Sequence, residues 1–502
     1  MSINIDEGPI DRKNSKYSDF LEDLQGNILN GHGRDHAVHL FVSFRIDKIA
    51  DAKLWIKNFA ATQITSAKKQ FEQADRFKAT GTDAGLFAHI AISFEGYAAL
   101  GLPPQKRPSG VNLRGRTAAE IDYADAFALG LRSRRAALFD PPVSQWELGY
   151  QQAIHCLIIL ADDQPKELIA AEIEVTTSIS QFADIVQVER GLALRRQFVY
   201  DDGPSFENIE HFGYVDGRSQ PVFLTEKIEE ESKLDGIKFW NPGAPLNLVL
   251  LADPNGKSGT SFGSFLVFRK LEQNVRAFRE AERDLARDLG ISEKRAGAMA
   301  VGRFRDGTPL VLQPGDGGEP IANDFNYTGD PKGLTCPFQA HVRKTNPRLE
   351  SVGPFAKSEE EELGHRIARR AIPYGGPYTE ADSDNLDAYP SNSVGLLFMC
   401  YQSDIWEQFE FIQRFWADNP MFLQSSSAVP ATYDRTGLDC VIGQSQTGLQ
   451  DTKINEIPEA ASNWPVEWGK TTKKSCVSFA KFVSLKGGEY FFSPSLTFMK
   501  SL

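Results

Sequence analysis

The chain has 502 residues, of which 41% are hydrophobic and 24% charged; this is ordinary for a globular protein and enough for one large domain or two to three smaller ones. Its net charge of −12 argues against a nucleic-acid partner, since such proteins usually present a basic face. The N-terminus is polar and no run of about 18 apolar residues occurs, so we expect neither a signal peptide nor a membrane span. The cysteines form no CxxC pair, which disfavours a zinc cage and favours a cytoplasmic location.

The first part of the chain predicts strands that alternate with helices. Residues 1–20 are predicted to form a flexible arm. Short apolar runs after the arm predict strands, and charged, periodic segments predict helices. The predicted strands are 38–44, 86–94, 155–160 and 185–188, and the predicted helices are 47–60 and one that begins at Pro165.

The second part repeats this pattern. Strands are predicted at 248–251, 265–268, 395–401, 479–485 and around 490–492, with a turn at Lys486-Gly487-Gly488 and helices at 271–289 and from about 402 to 415. We interpret the repetition as a duplicated α+β unit with two facing antiparallel sheets. The predicted domains are therefore an N-terminal half at 21–205 and a C-terminal half at 206–502.

Among the eight histidines, His341 has surroundings that suit a metal ligand. Pro337 and apolar residues precede it and could wall a pocket, and Arg348 follows it as a cation for a carboxylate of a bound cofactor. Most histidines have no ligand role, so His341 as an ordinary core or surface residue stays an alternative. His211 is the next candidate. The cluster His32, His36 and His39 has metal-like spacing but lacks cysteine or carboxylate support.

Asp216 lies in the motif Gly213-x-x-Asp216-Gly217. The flanking glycines allow a close backbone approach to a flat cofactor or a positive φ angle. The alternative is a plain turn, because Asp-Gly is a common turn dipeptide.

Several segments of the chain resemble the dye-decolorizing peroxidase family, in the long form found in fungi and some bacteria. The likeness covers most of the chain, at DLQGNIL with GHGR after it, GYVDGRSQP, CPFQAHVRKTNPR, RRAIPYG, GLLFMCYQSDI and LKGGEYFFSPSL. The resemblance implies two tandem ferredoxin-like halves that form a dimeric α+β barrel-like domain pair. It also implies one haem b per chain in the C-terminal half, bound by His341.

The implied activity is the hydrogen peroxide-dependent oxidation of bulky aromatic compounds such as anthraquinone dyes. Asp216 would shuttle a proton between the peroxide oxygens, and Arg369 would stabilise charge as the O–O bond breaks. Arg366 and Arg370 compete with Arg369 for this role. Where many relatives carry Gly, Ser or Asn two places after the arginine, this chain has Ala371, which removes one hydrogen bond.

The resemblance and the strand pattern also mark further residues of the site. Leu396 and Phe398 are two apart on a predicted strand and share one face, which the family places over the distal haem side. Core packing is the alternative. We expect Asp439 to accept a hydrogen bond from the far nitrogen of His341. Surface aromatics would pass electrons from substrates too large for the pocket; the candidates are Tyr374, Tyr378, Tyr389, Trp406 and Trp416.

Two other functions stay open at this point. A haem carrier or iron-releasing protein would use His341 but would not need Asp216 and Arg369. A non-haem interaction module would use these motifs only as turns. The sequence leaves the oligomeric state open, a homo-oligomer included.

Overall fold

A computed structural model describes residues 2–110, 125–200, 203–317, 322–376, 384–423, 436–444 and 457–502. The strands are β1 His36–Phe44, β2 Phe87–Ser93, β3 Cys156–Asp162, β4 Ala183–Leu192, β5 Leu194–Tyr200, β6 Gly203–Ile209, β7 Leu251–Ala252, β8 Phe262–Gln273, β9 Ala368–Arg369, β10 Ile372–Tyr374, β11 Gly395–Gln402, β12 Ala461–Pro465, β13 Lys473–Phe479 and β14 Val483–Ser493. The α-helices are α1 Ser18–Asp23, α2 Ile49–Thr62, α3 Ala67–Thr80, α4 Phe94–Ala99, α5 Ala126–Arg134, α6 Pro165–Ile179, α7 Thr225–Leu234, α8 Val275–Leu289, α9 Glu293–Val301, α10 His341–Thr345, α11 Glu359–Gly364 and α12 Leu496–Ser501. Two π-helical stretches lie at Trp406–Glu410 and Ile412–Ala417.

The main sheet joins strands from both parts of the chain into a ring. The order β8-β14-β2-β3-β1-β4-β10-β11 closes because β11 also pairs with β8, and all of these pairs are antiparallel. The two parts meet at Phe491 opposite Ser93 and at Tyr374 opposite Gly191. The sheets predicted to face each other are thus hydrogen-bonded at both junctions.

Helices and antiparallel strands together confirm the predicted α+β class. In the N-terminal part the order is β2-β3-β1-β4, with helices α2 and α3 before β2 and helix α6 before β4. In the C-terminal part the order is β14-β8-β11-β10, so β8 lies between β14 and β11. The predicted boundary at residue 205 falls inside β6 of the β5–β6 hairpin.

The N-terminal segment predicted to be a flexible arm is packed against the rest of the chain. Ile3 and Ile10 are buried, the Ile3 amide donates to the Gly259 carbonyl at 2.9 Å, and Ile10 forms a parallel bridge with Leu224. Arg12 adds ion pairs to Asp75 and Glu226. The segment is mostly polar, and its few isoleucines form no apolar run that would have indicated this packing.

Several predicted elements differ from the structure; the predicted strand 479–485, for example, spans the end of β13 and the start of β14. The apolar run 248–251 begins in a 3₁₀ turn and only Leu251 is in a strand, because an apolar run reports burial rather than backbone conformation. The predicted turn at 486–488 is wrong: β14 continues through a register shift between Leu485 and Gly487. A Cβ atom on Gly487 would lie 2.2 Å from the Tyr150 ring, so this glycine permits close packing rather than a turn.

No helix within the described ranges is long and apolar enough to cross a membrane.

Candidate active site

A cavity of about 1710 Å³, including its opening to solvent, lies beside β8 and β11. It is on the face of these strands that points away from the main hydrophobic core. Every residue that lines it falls within 206–502, the half in which the sequence placed the site. The wall is apolar where Leu271, Leu396, Phe398, Ile412 and Leu485 contribute to it.

His341 enters this cavity from the first residue of α10. Its Nδ1 lies 3.1 Å from Oδ1 and 3.0 Å from Oδ2 of Asp439. A carboxylate accepts a hydrogen bond from Nδ1–H, so Nε2 keeps its lone pair and is the ring nitrogen available to bind a metal in the cavity. The structure thus brings together two residues that lie far apart in the sequence, in the arrangement that the sequence predicted.

Asp439 is completely buried. Burial alone would raise the pKa of its carboxyl, but the hydrogen bond of His341 and the backbone N–H groups of Ile442 and Val441 oppose it, and the pKa is lowered. Val441 and Ile442 donate to Oδ1 at 2.8 and 2.9 Å. The acceptor for His341 is therefore a carboxylate held in place by its own loop.

Asp216 and Arg369 also line this cavity. Arg369 Nη1 lies 3.1 Å from Oδ1 of Asp216, and its Nη2 donates to the Arg218 carbonyl at 3.0 Å. The Arg369 backbone N–H donates to Oε1 of Gln220 at 2.9 Å. Both ends of the arginine are therefore tied to the loop that carries Asp216.

The backbone around Asp216 explains the glycines that flank it. Gly213 has φ +85° and Gly217 has φ +90°, a region that favours glycine. The Gly217 N–H donates to Oδ1 of Asp216 at 2.7 Å, and the Asp216 N–H donates to the Asn208 carbonyl at 2.9 Å. Inside the loop, the Tyr214 hydroxyl donates to the buried carboxylate of Glu282 on α8.

The three arginines of the RIARR segment point to different places. Arg366 lines the cavity but donates to the carbonyls of Leu363, Pro242 and Gly243. Arg370 donates to the carbonyls of Asn27 and Ile28, at 2.8 and 3.0 Å. Among these three, Arg369 is the one whose guanidinium bonds Asp216.

Leu396 and Phe398 line the cavity from alternate positions of β11, as the spacing predicted. Leu397 and Met399, which lie between and beyond them, are fully buried in the core on the other face. The alternation separates the wall of the site from the packing of the fold.

Arg348 does not line the cavity. It is buried, and its guanidinium donates to Ser219 Oγ at 2.8 Å and to the carbonyls of Asn323 and Phe325. Burial lowers its pKa to about 9. It reaches the cavity only through Ser219, so a direct contact between Arg348 and a cofactor carboxylate stays a prediction.

Sequence reasoning missed Arg303 and Ser219, which both line the cavity. Arg303 Nη2 donates to Ser219 Oγ at 3.2 Å, and burial lowers the pKa of this guanidinium to about 10, so it stays charged at neutral pH. Ser219 lies in the segment GYVDGRSQP, but its side chain was not singled out there, and Arg303 lies in no pattern that the sequence analysis used.

The other candidate histidines lie elsewhere. His211 Nε2 contacts the Tyr374 carbonyl at 2.8 Å, and the residue does not line the cavity. His32 stacks on Phe87, and His39 is buried against Phe268. Within the part of the chain that the structure describes, no group of three or more His, Cys, Asp or Glu could hold a metal ion.

A second cavity, of about 1540 Å³ including open solvent, adjoins the first. Asp216, Gly217, Pro221 and Arg369 line both cavities. Its other walls come from residues 27–35, the β5–β6 hairpin and α7. The Asp216–Arg369 pair is therefore accessible from both cavities.

Most of the aromatic candidates for electron transfer are not at the surface. Tyr374, Tyr389 and Trp416 are buried, and Trp406 is half-buried. Tyr378 lies outside the described residues.

The residues of the first cavity fit haem. One imidazole nitrogen is available there for iron, and a buried carboxylate holds the other. The apolar wall suits a porphyrin, and the Arg303 guanidinium offers a cation for a propionate.

Known proteins support the same fold and family. The family model "Dyp-type peroxidase, C-terminal" matches residues 317–428. The multifunctional dye peroxidase DyP2 of Amycolatopsis sp. is 39% identical over 492 residues, which cover 96% of this chain and 96% of that protein. Its solved structure has a TM-score of 0.85 at 37% identity and covers 100% of both chains. The DyP-type peroxidase of Anabaena sp. has a TM-score of 0.83 at 39% identity and covers 98% of this chain and 97% of that chain.

Proposed function

Because this chain belongs to the dye-decolorizing peroxidase family, we propose that its first cavity binds one haem b per chain and that Nε2 of His341 is the iron ligand. The protein is a haem-dependent peroxidase. Its proposed substrates are hydrogen peroxide and bulky aromatic compounds, anthraquinone dyes among them.

The His341–Asp439 pair supports this assignment of the ligand. A carboxylate that accepts Nδ1–H fixes the tautomer and ring orientation and makes Nε2 more electron-donating. Asp439 is buried and held by two backbone N–H groups, so the direction of its hydrogen bond is fixed.

The Asp216–Arg369 pair supplies the chemistry at the peroxide. Bound haem supplies the electrons that reduce the peroxide. The Asp216 carboxylate accepts a proton from one peroxide oxygen and returns it to the other, so that water can leave. The Arg369 guanidinium, 3.1 Å from Asp216, stabilises the negative charge that develops as the O–O bond breaks.

The second cavity gives peroxide a separate path to this pair. It is lined by polar and charged groups, including Arg34, Asp35 and Arg195, and it ends at Asp216 and Arg369. A small polar oxidant could use it while the first cavity is occupied.

Bulky substrates would donate electrons at the surface. An aromatic series runs from buried Trp416 through Phe411 and Phe415 to half-buried Trp406, with ring centroids 5.5, 5.1 and 6.3 Å apart. Of the candidates among the described residues, Trp406 is therefore the one we propose as the outer electron donor.

The finer description of the fold is also a proposal. The two strand orders, β2-β3-β1-β4 and β14-β8-β11-β10, support two ferredoxin-like halves that share one closed sheet. The predicted domains, 21–205 and 206–502, would correspond to these halves.

The observation that carries the proposed function is that one cavity is lined by His341, whose Nδ1 contacts Asp439, and by the Asp216–Arg369 pair. Absorption spectra of the haem-loaded protein and of His341→Ala, each with and without hydrogen peroxide, test it. We expect a Soret band in the wild type that changes rapidly on addition of peroxide, and loss of the band in the variant. A stable Soret band that does not respond to peroxide would favour the carrier alternative, and no band after expression with ample haem would refute haem binding.

A further inference from the structure

A buried lysine lies one turn after His341. Lys344 is fully buried, and its ammonium donates to four backbone carbonyls: Trp416 at 3.0 Å, Ala417 at 3.4 Å, Asn419 at 2.7 Å and Gly437 at 2.9 Å. An ammonium has three N–H donors and no acceptor, so these carbonyls use its full capacity.

These carbonyls belong to two chain segments, one at residues 416–419 and one that carries Asp439. Trp416 and Ala417 end the second π-helical stretch, Asn419 follows it, and Gly437 lies in the segment 436–444 that carries Asp439. Lys344 is on the same short helix as His341. One side chain therefore joins the helix of the proposed ligand to the loop of its hydrogen-bond partner.

The backbone of Asp439 continues this connection. Its N–H donates to the Ala417 carbonyl at 2.9 Å, the same carbonyl that Lys344 contacts. The loop is thus fixed against residues 416–419, and residues 416–419 are fixed against α10. A shift of this junction would move the Asp439 carboxylate relative to Nδ1 of His341.

Removal of the ammonium would take away one donor that four converging carbonyls share. Buried carbonyls that lose their partner are costly, and their negative ends repel one another. The least costly response is a local rearrangement that admits water or separates the segments. Burial lowers the pKa of Lys344 to about 8, so at neutral pH the side chain carries its charge at this junction.

We propose that Lys344 is a positioning residue for the His341–Asp439 hydrogen bond, and that through this bond it determines which nitrogen of His341 is free to bind iron. This inference rests on the proposed role of His341. It concerns the geometry of His341 and Asp439 rather than the reaction with peroxide.

The first test uses the haem-free protein, so it does not depend on the proposed function. Nitrogen NMR of labelled histidine reports which ring nitrogen of His341 carries the proton. We expect a single tautomer with the proton on Nδ1 in the wild type and a mixture in Lys344→Met. An unchanged Nδ1–H tautomer in Lys344→Met would overturn the proposal.

The matched control is Lys270→Met. Lys270 is a buried lysine on β8 that pairs with Glu147 and Glu189 and does not line the cavity. Its loss should lower thermal stability without changing the His341 tautomer. The same tautomer change in both variants would show a general effect of lost packing and would refute the proposal.

The second test uses haem-loaded protein and the rate of haem transfer to an excess of an acceptor apoprotein. We expect Lys344→Met to lose haem about tenfold faster, in line with the effect of residues behind a metal ligand. In the double variant Lys344→Met/Asp439→Asn the loss should be no faster than in Asp439→Asn alone. Additive effects would show that Lys344 acts independently of Asp439 and would contradict the proposal.

Lys344→Gln covers the case in which the methionine variant does not fold, because its amide retains two N–H donors for the carbonyls. We expect it to show a smaller tautomer change than Lys344→Met or, if only it folds, a detectable one. Failure of both variants to fold would assign Lys344 to the stability of the fold and overturn the positioning role.

Discussion

His341 and the Asp216–Arg369 pair line one cavity, but Asp439, the partner of His341, differs from the Asp216–Arg369 pair in its exposure to solvent. The side chain of Asp439 is 0% exposed, whereas the side chains of Asp216 and Arg369 are 29% and 32% exposed. Asp439 is enclosed by its own loop, while Asp216 and Arg369 also border the second cavity. The difference matches the proposed tasks: a metal ligand needs a fixed direction, and a proton carrier needs access to peroxide and water.

The largest expected effect is the loss of peroxide reactivity on substitution of Asp216. Asp216→Asn keeps the shape of the side chain but cannot accept the peroxide proton. We expect the rate constant for the reaction of haem-loaded protein with hydrogen peroxide to fall about 10²–10⁴-fold in stopped-flow measurements. Haem affinity should stay at the wild-type level, because the side chain has no part in the His341–Asp439 pair. A rate within a few-fold of wild type would remove Asp216 from proton transfer.

Replacement of the neighbouring arginine should have a slightly smaller effect. Arg369→Leu removes the cation beside Asp216, and we expect a fall of about 10²–10³-fold in the same rate constant. Arg370→Leu is the matched control, since Arg370 donates to the carbonyls of Asn27 and Ile28. The control should lose thermal stability but keep the peroxide rate. Equal losses of rate in both variants would contradict the assignment of Arg369.

Asp439, the buried partner of His341, should respond differently to the same kind of substitution. Asp439→Asn weakens the hydrogen bond to His341, so the imidazole donates less electron density. We expect haem affinity to fall about 10–100-fold and the iron reduction potential to rise, as measured by haem transfer and redox titration. An unchanged potential would remove Asp439 from this role. A loss of peroxide rate without loss of haem affinity would erase the contrast between the two pairs.

The smallest expected effect concerns the backbone that holds Asp216. Gly217 has φ +90° and open space where a Cβ would lie, so Gly217→Ala adds strain without a clash. The strain costs about 1–2 kcal/mol. Scanning calorimetry should show an unfolding temperature lower by on the order of 1–2 °C. Gly329→Ala is the control, with open space and no positive φ; an equal shift there would mean that strain at Gly217 is not the cause.

Short motifs allowed much of the site to be predicted from the sequence. Five residues that were predicted from short sequence motifs all line one cavity: His341, Asp216, Arg369, Leu396 and Phe398. The residue types and spacings carried this information because each group needs a particular neighbour, such as the glycines beside Asp216.

Contacts between distant segments could not be predicted in the same way. Arg303 and Ser219 line the cavity because the tertiary fold brings them there. The role of Lys344 depends on residues 416–419 and 437, which lie far from it in the sequence and contact it only in the folded chain. The closed ring of strands depends on single junctions such as Tyr374 opposite Gly191. Local hydrophobic periodicity contains no signal for pairings at such sequence separation.

A crystal structure of the protein with haem bound tests the central claim most directly. We predict iron bound to Nε2 of His341, the Asp439 carboxylate bonded to Nδ1, and Asp216 and Arg369 together on the opposite face of the porphyrin. Iron bound through another histidine such as His211, or Asp216 and Arg369 lying away from the open face, would contradict this account.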